Sequence, residues 1–261
     1  MKKRINISYY IKLIFLTIFI VMAFISLFYT PYNPDAMDNS LQFAPMSFKH
    51  WMGCDDFGRD IFSRMMIAVR NTLVIAILIN VIGAGCGIII GSLSGYLGGK
   101  LDTILMRIND ALFAFPSILL ALLFVGITGG GTIYVVLSLG IAFIPSYVRI
   151  SRGEVMKQKN MDYVSLAKLL GAGSFRIAFI HILPNIKGVL VASIMIGFNN
   201  AILAEAGLSF LGLGVPPPNA SLGKMLSEAQ AYLFTTPSYA MGVGVVMIVM
   251  ILSFSIKTKE I

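Results

Sequence analysis

The chain has 261 residues, of which 57% are hydrophobic and only 12% are charged, and its net charge is +8. A soluble domain normally carries about 25% charged residues, so this composition excludes an ordinary soluble globular protein. Apolar runs of about twenty residues are each long enough to cross a hydrocarbon core of about 30 Å as a helix. Because lipid offers backbone groups no partners, we predict an all-α polytopic membrane protein.

Six segments are predicted to span the membrane as helices. They are Tyr9–Tyr29, Asn71–Leu97, Thr103–Ile127, Thr132–Ile150, Lys187–Gly207 and Ser238–Ile256. The first segment follows a basic tip and lacks a small-x-small cleavage site, so we expect a retained anchor rather than a signal peptide. The predicted organisation is an N-terminal tip and first helix (1–30), an outer loop with an interfacial helix (31–70) and a five-helix domain (71–261).

Basic residues are distributed unevenly between the two sides of this predicted topology. With the N-terminus in the cytosol, 15 of the 20 Lys and Arg residues fall on the cytosolic side. The outer side keeps five, namely Lys49, Arg59, Arg64, Arg70 and Lys224. The positive-inside rule therefore predicts that both termini are cytosolic. The same distribution explains the net positive charge, and we expect no nucleic-acid partner.

Glycine and proline mark three of the predicted spans. Gly83, Gly87, Gly91 and Gly95 form a stripe at a spacing of four residues, which allows another helix to approach closely. The approaching helix belongs either to this subunit or to a partner, and the sequence leaves both open. Pro116 and Pro145 lie inside the third and fourth spans, where we predict a kink or a local break.

The longest cytosolic stretch, residues 151–186, contains two short predicted helices. Asp162 is expected to cap the first helix, which Gly171 ends as a left-handed residue. The apolar face of this helix is predicted to consist of Tyr163, Leu166, Ala167 and Leu170. Ser174 is expected to start a second helix that Pro184 stops. Two short helices joined by Gly-Ala-Gly form a compact knob, which is suited to docking a soluble partner.

Four segments of the chain resemble permeases of binding-protein-dependent ABC importers. The first is the loop Tyr163-Val-Ser-Leu-Ala-Lys-Leu-Leu-Gly171-Ala followed by Ile182-Leu-Pro184-Asn185. The others are His50-Trp-Met-Gly-Cys-Asp-Asp-Phe-Gly-Arg-Asp-Ile-Phe-Ser-Arg64, Ala114-Phe-Pro-Ser117 and Ile202-Leu-Ala-Glu-Ala-Gly-Leu-Ser-Phe-Leu-Gly-Leu-Gly214. The segment before the second span resembles the dipeptide, oligopeptide and nickel branch in particular. Together these similarities cover about residues 30–240.

The resemblance implies a permease subunit of a bacterial cytoplasmic membrane importer. It implies a second homologous permease, two ATP-hydrolysing subunits and an extracytoplasmic substrate-binding protein as partners, in addition to membrane lipid. The family's loop forms a coupling helix on the ATPase, which implies coupling roles for Tyr163, Ser165, Leu166, Ala167, Leu170, Gly171, Leu183 and Pro184. Di- or oligopeptides are the implied substrates, and nickel or a nickel chelate is the alternative.

Two departures from the family pattern concern the coupling loop and the end of the chain. The family loop is named for Glu-Ala-Ala, whereas this chain has Ser165-Leu166-Ala167, which removes a carboxylate from the expected ATPase contact. The family also usually continues past its last span with a polar tail, and this sequence stops at Ile261. We expect a shortened C-terminus.

The sequence contains no recognisable catalytic chemistry. The nearest approach to a phosphate loop, Ser94-Gly-Tyr-Leu-Gly-Gly-Lys100-Leu101, lacks the leading Gly and the Ser or Thr that ligates magnesium. ATP hydrolysis is therefore expected from separate subunits, and we expect the chain not to be an enzyme. Cys54, Cys86, His50 and His181 are scattered over different depths, so we expect no disulfide, metal site or cofactor.

Two carboxylates fall within predicted spans, where a charge is costly. Asp110 and Glu205 would be the ion sites of a secondary transporter, the rival function, or they would be hydrogen-bonded to neighbouring helices. We favour the second interpretation because the coupling-type loop already supplies an energy source. The polar residues suggested for a translocation path are Ser193, Asn199, Asn200 and Glu205. On the outer side, Asp60 and Arg64 are four residues apart and are predicted to pair on a helix.

Overall fold

The structure is a computed structural model that describes residues 7–255. Within this range the regular elements are helical, apart from an isolated bridge between Cys54 and Asp60. The predicted all-α class is therefore confirmed for the described residues. The terminal basic residues used to predict the orientation, Lys2, Lys3, Arg4, Lys257 and Lys259, lie outside them.

The helices are numbered here in chain order. They are α1 (Ile7–Ile25), α2 (Ile61–Leu97), α3 (Gly99–Phe113), α4 (Ser117–Thr128), α5 (Thr132–Gln158), α6 (Asp162–Leu169), α7 (Ser174–Arg176), α8 (Lys187–Phe210), α9 (Leu222–Gln230) and α10 (Pro237–Phe254). A single 3₁₀ turn, Asn39–Leu41, lies in the outer loop. Helix α7 continues directly as a π-helical turn, Ile177–Ile182, and then a 3₁₀ turn, Leu183–Asn185.

Helices α2, α5, α8 and α10 are long and apolar enough to cross a membrane. Helices α3 and α4 pass the same test only together, and they are bent by 84° relative to each other. Helix α1 is also apolar, but the stretch of it that can be assessed, Tyr10–Ile25, is shorter than this length, and the chain turns at residues 26–28. By length and composition, the described residues thus contain four spans, or five if the bent pair counts as one.

The observed helix boundaries differ from the predicted ones where a polar cap or a continuation of the helix was not anticipated. Helix α2 begins ten residues before the predicted Asn71, because the Asp60 side chain accepts a hydrogen bond from the backbone N–H of Ser63 at 2.7 Å. Helix α5 continues eight residues beyond Ile150, so the start of the predicted cytosolic loop is helical. The second predicted loop helix is only a short α-helical turn followed by π and 3₁₀ turns.

The two prolines behave differently. Pro116 follows the end of α3 and precedes α4, so the predicted third span is broken there, as expected for a residue without an N–H. Pro145 lies inside the uninterrupted helix α5, so of the predicted kink or local break, the break does not occur there and the kink stays a prediction. Pro145 is buried within the packed bundle.

The glycine stripe of α2 packs against α5 of the same chain. A Cβ atom at Gly87 would lie 2.5 Å from Cβ of Tyr147, and one at Gly91 would lie 2.4 Å from the Val148 carbonyl oxygen. A Cβ atom at Gly95 would likewise lie too close to the backbone of Arg152. The stripe therefore provides packing within this subunit, which decides between the two readings that the sequence left open. The α2–α5 pair forms the centre of the main hydrophobic core, against which α8, α9 and α10 pack.

Candidate functional site

A short-helix knob, defined here as residues 159–186, follows the end of α5. Its first helix, α6, is preceded by Met161 as the N-cap, so Asp162 occupies the first turn rather than the predicted cap position. The helix ends in a Schellman motif, in which Gly171 N–H bonds the Lys168 carbonyl at 2.9 Å and Ala172 N–H bonds that of Ala167 at 3.0 Å. Gly171 has φ = +80°, so the predicted left-handed conformation is confirmed.

The knob has its own hydrophobic core. Val164 and Ala167 of α6 are buried together with Ile177, Ala178 and Ile182 of the following turns. The same cluster includes Tyr96 at the end of α2, Val155 of α5 and Leu190 of α8. The Tyr163 hydroxyl lies 3.0 Å from Gln158 Oε1, and partial burial raises the pKa of Tyr163. The knob is thus attached to three of the long helices at once.

One face of the knob is apolar but uncovered. Leu166, Leu169, Leu170 and Phe175 are exposed, with Leu169 at 85% and Leu170 at 79% of their full surface. The predicted apolar face of α6 therefore divides, because Ala167 is buried whereas Leu166 and Leu170 point outward. Ser165 and Pro184 are also exposed, and Leu183 is half-buried. We call the four exposed side chains, Leu166, Leu169, Leu170 and Phe175, the apolar knob surface.

A cavity of 350 Å³ lies between α4, α5 and α8. Its polar lining consists of Ser117, Ser146, Tyr147, Ser193 and Asn200, and the remaining lining residues carry no charge. The structure thus brings together two of the predicted path residues, Ser193 and Asn200. Asn199 instead donates a hydrogen bond to Ser255 Oγ at 2.9 Å, and Glu205 lies outside the lining.

Tyr147 and Asn80 form a buried polar pair beside this cavity, which the sequence analysis missed. The Tyr147 hydroxyl donates to Asn80 Oδ1 at 2.5 Å, and Asn80 Nδ2 donates to the Ala76 carbonyl at 2.9 Å. Gly197 of α8 lies against this pair, since an added Cβ would be 1.8 Å from the Tyr147 hydroxyl. An Asn and a Tyr inside apolar runs were the available sequence signal, because polar groups at membrane depth need partners.

Glu205 is fully buried in a cluster of hydroxyl groups near the C-terminal end of α8. It accepts a hydrogen bond from Ser209 at 2.6 Å and lies 3.5 Å from the Thr72 hydroxyl. These two hydroxyls in turn accept hydrogen bonds from the backbone N–H groups of Val215 and Leu222, each at 3.2 Å. The carboxylate thus connects α8 to α2 and to the start of α9.

Asp110, the other predicted intramembrane acid, pairs with a residue of α5. Its carboxylate is 2.7 Å from Arg149 Nη2, and the Arg149 guanidinium also lies over the Phe113 ring at 3.8 Å. Asp110 is outside the cavity lining, and the two acids contact different helices, α5 for Asp110 and α2 for Glu205.

The outer loop is held by buried charges rather than by the predicted Asp60–Arg64 pair. Asp60 instead binds Ser63 N–H and lies 2.9 Å from His50 Nδ1, so its oxygens are occupied and the predicted pairing is wrong. Arg64 lies 3.3 Å from Asp35 and 3.7 Å from Glu228 of α9. This network fixes the outer loop on α9. Burial raises the pKa of the nearby Cys54 thiol to about 11.

The described residues contain no group of three or more His, Cys, Asp or Glu side chains that could hold a metal ion. Long apolar helices, a cavity with an uncharged polar lining and a knob with an exposed apolar surface define a multi-pass membrane protein of the transport type.

The model of the family described as "Binding-protein-dependent transport system inner membrane component" matches residues 87–258. The chain belongs to this family, as a permease subunit of a binding-protein-dependent ABC importer in its peptide branch, which confirms the resemblance predicted from the sequence. It is therefore a transport subunit and not an enzyme.

Three curated relatives illustrate the similarity. The chain is 35% identical to a dipeptide transport system permease protein of Haemophilus influenzae, over 94% of this chain and 85% of the relative. It is 36% identical to a glutathione transport system permease protein of Pectobacterium atrosepticum, over 93% and 81% respectively. It is 37% identical to an oligopeptide transport system permease protein of Bacillus subtilis, over 84% and 72%.

Proposed function

We propose that this chain translocates di- or oligopeptides inward across the bacterial cytoplasmic membrane, with ATP hydrolysed by separate subunits. The observation that carries the coupling part of this proposal is the apolar knob surface, which is built on a well-packed base and left uncovered. The relatives named for dipeptide, oligopeptide and glutathione transport support the substrate class.

The proposed assembly contains this chain, a second homologous permease, two ATP-hydrolysing subunits and an extracytoplasmic substrate-binding protein. The apolar knob surface would bind one of the ATPases. Because the knob packs on the ends of α2, α5 and α8 together, movement of a bound ATPase would act on all three helices. ATP binding would then favour one of two packings of the spans, as a ligand favours the state that it binds better. In this arrangement the knob and both termini are cytosolic.

The translocation path in this proposal follows the cavity between α4, α5 and α8. Its hydroxyl and amide groups suit the backbone amides of a peptide, and the absence of charge in its lining suits side chains of any type. Ser193 and Asn200 would contact the substrate. Asn199 and Glu205, which belong to the same predicted set, would act through helix packing instead.

The rival secondary-transport function requires Asp110 and Glu205 to exchange ions. In the structure Asp110 is paired with Arg149, and Glu205 accepts hydrogen bonds from hydroxyls. These contacts favour roles in helix packing, and the proposal therefore does not assign them to ion coupling.

Uptake measurements with two substrates test the proposal. Cells with and without this gene are given labelled dipeptide or labelled nickel, each in the presence of the other unlabelled substrate. We expect loss of dipeptide uptake and unchanged nickel uptake in the deletion strain. Loss of nickel uptake alone would move the chain to the nickel alternative, and unchanged uptake of both would contradict the proposal.

A further inference from the structure

Helix α3 contacts the C-terminal half of α5 and is bent sharply from α4. Two ion pairs connect these helices: Asp102 with Arg152, at 2.6 and 2.7 Å, and Asp110 with Arg149, at 2.7 Å. The two arginines are three residues apart, about 4.5 Å along α5, whereas the two aspartates are eight residues apart, about 12 Å along α3. Together with the 84° bend between α3 and α4, this places α3 at one level of α5. That level is where charged residues first appear on α5.

The outward half of α3 combines an apolar stripe with a basic flank. Leu101, Ile104 and Ile108 are exposed and share one side of the helix at spacings of three and four residues. Lys100 and Arg107 occupy the adjacent flank, and neither forms an ion pair with a residue that the structure describes. An open groove of 680 Å³ runs along this flank and is lined by Gly99, Lys100, Asp102, Thr103, Ile104 and Arg107.

The acidic residues of α3 do not compensate this basic flank. Asp102 is held by two of the guanidinium nitrogens of Arg152, Nε and Nη2, and Asp110 is held by Arg149. Among the described residues of α3, only Asn109 is buried. The rest of the outward half is therefore uncovered in the single chain. A surface that is apolar on one side and basic on the other fits the boundary between acyl chains and anionic headgroups.

We propose that α3 is an in-plane helix that binds anionic phospholipid of the cytosolic leaflet. Leu101, Ile104 and Ile108 contact the acyl chains, while Lys100 and Arg107 bind the headgroup phosphate in the open groove. The choice of leaflet rests on the proposed function, which puts the knob end of the bundle in the cytosol. The lipid site itself does not depend on the substrate that is transported.

Fluorescence quenching by brominated lipids tests this site in the full chain. The single Trp51 is replaced by Phe, and Ile104→Trp introduces a probe into the apolar stripe. The protein is reconstituted into liposomes that contain brominated phosphatidylglycerol or brominated phosphatidylcholine. We expect quenching by both lipids, with a clear preference for phosphatidylglycerol. Each basic residue near an anionic headgroup contributes roughly a five-fold preference for phosphatidylglycerol over phosphatidylcholine. The double variant Lys100→Gln with Arg107→Gln should therefore lower this preference by up to about 25-fold.

A matched variant controls for the loss of charge. Lys168→Gln with Arg176→Gln removes two exposed charges from the knob at the same end of the bundle, and we expect it to leave the lipid preference unchanged. Equal quenching by the two lipids, or a preference that survives the substitutions in α3, would overturn the headgroup site. No quenching by either lipid would show that protein covers the stripe. These fluorescence measurements require no transport. Their outcome therefore does not depend on whether the chain transports peptides.

Discussion

Gly171 shows most directly how one residue shapes the proposed contact with the ATPase. Its φ of +80° closes the Schellman motif at the end of α6, and nothing lies within 4 Å of an added Cβ. Substitution therefore acts through backbone strain, which costs about 1–2 kcal/mol for an L-residue in this region. We expect Gly171→Val to reduce ATP-dependent peptide uptake several-fold, because relief of the strain tilts α6 and displaces the apolar knob surface.

Gly173 provides the matched control for this prediction. It lies two residues later, has φ of −68° and is equally open around its Cβ position. Gly173→Ala should retain uptake close to the original level. Equal uptake by the Gly171→Val variant and the original chain, with the ATPase still bound in a pull-down, would show that the left-handed residue is not needed for coupling.

Gly197 is expected to be intolerant of any side chain. A Cβ atom there would lie 1.8 Å from the Tyr147 hydroxyl and 3.0 Å from Asn80 Oδ1. Gly197→Ala should destabilise the protein by about 1–3 kcal/mol through overpacking. Tyr147→Phe removes the closest atom and should recover part of that loss. Thermal unfolding in detergent measures both effects, and an unchanged Tm in Gly197→Ala would contradict the packing described for α5 and α8.

At the scale of the element, different residues of α6 serve the folding of the knob and the proposed docking of the ATPase. Val164 and Ala167 point into the knob core, whereas Leu169 and Leu170 point away from it. Leu169→Glu with Leu170→Glu should leave the fold intact and abolish ATPase association and uptake. Ser165→Glu adds a charge to the same helix at the position where the family pattern has its Glu, so it should be tolerated. Co-purification with the ATPases measures the difference, and association that survives both leucine substitutions would remove the proposed docking role.

Glu205 connects three helices, which distinguishes a packing role from ion coupling. Glu205→Gln keeps one oxygen that accepts the hydrogen bond from Ser209, and its amide N–H can donate to the Thr72 hydroxyl, so we expect uptake within about three-fold of the original. Glu205→Leu leaves those buried hydroxyls without an acceptor, which costs about 1–3 kcal/mol for each unmet group. We therefore expect loss of stability and uptake in Glu205→Leu only. Complete loss of uptake in a stable Glu205→Gln variant would favour the secondary transporter.

The elements that were correctly predicted are those determined by local chemistry. The left-handed Gly171 and the break at Pro116 follow from the backbone limits of those two residues. The long apolar helices α2, α5, α8 and α10 follow from composition alone. The uninterrupted path of α5 through Pro145 could not be predicted, because surrounding helices decide whether a buried proline breaks a span.

Contacts between distant segments were beyond the reach of sequence patterns. The spacing of Asp60 and Arg64 predicted a pair, yet Asp60 binds His50 and Ser63 while Arg64 lies near Asp35 and Glu228. Likewise Ser193 and Asn200 meet at one cavity, whereas Asn199, next to Asn200, faces α10. Side chains on neighbouring positions of a helix point in different directions, and only the packing of the other helices shows which direction leads to a cavity.

At the scale of the whole molecule, the fold divides one function among three regions. The outer loop is fixed on α9 by buried charges, the cavity lies between α4, α5 and α8, and the knob joins the opposite ends of the long helices. The α2–α5 pair, packed through the glycine stripe, connects these levels. Such an arrangement would allow a partner at the knob to influence the cavity.

Uptake of labelled dipeptide with the two energy sources controlled separately tests the central claim most directly. Cells that express the complete transporter are depleted of ATP while the proton gradient is maintained, or treated with a protonophore while ATP is maintained. We predict that ATP depletion abolishes the uptake that depends on this gene and that the protonophore leaves it in place. Uptake that persists without ATP and collapses with the proton gradient would contradict the assignment of the knob as the coupling element.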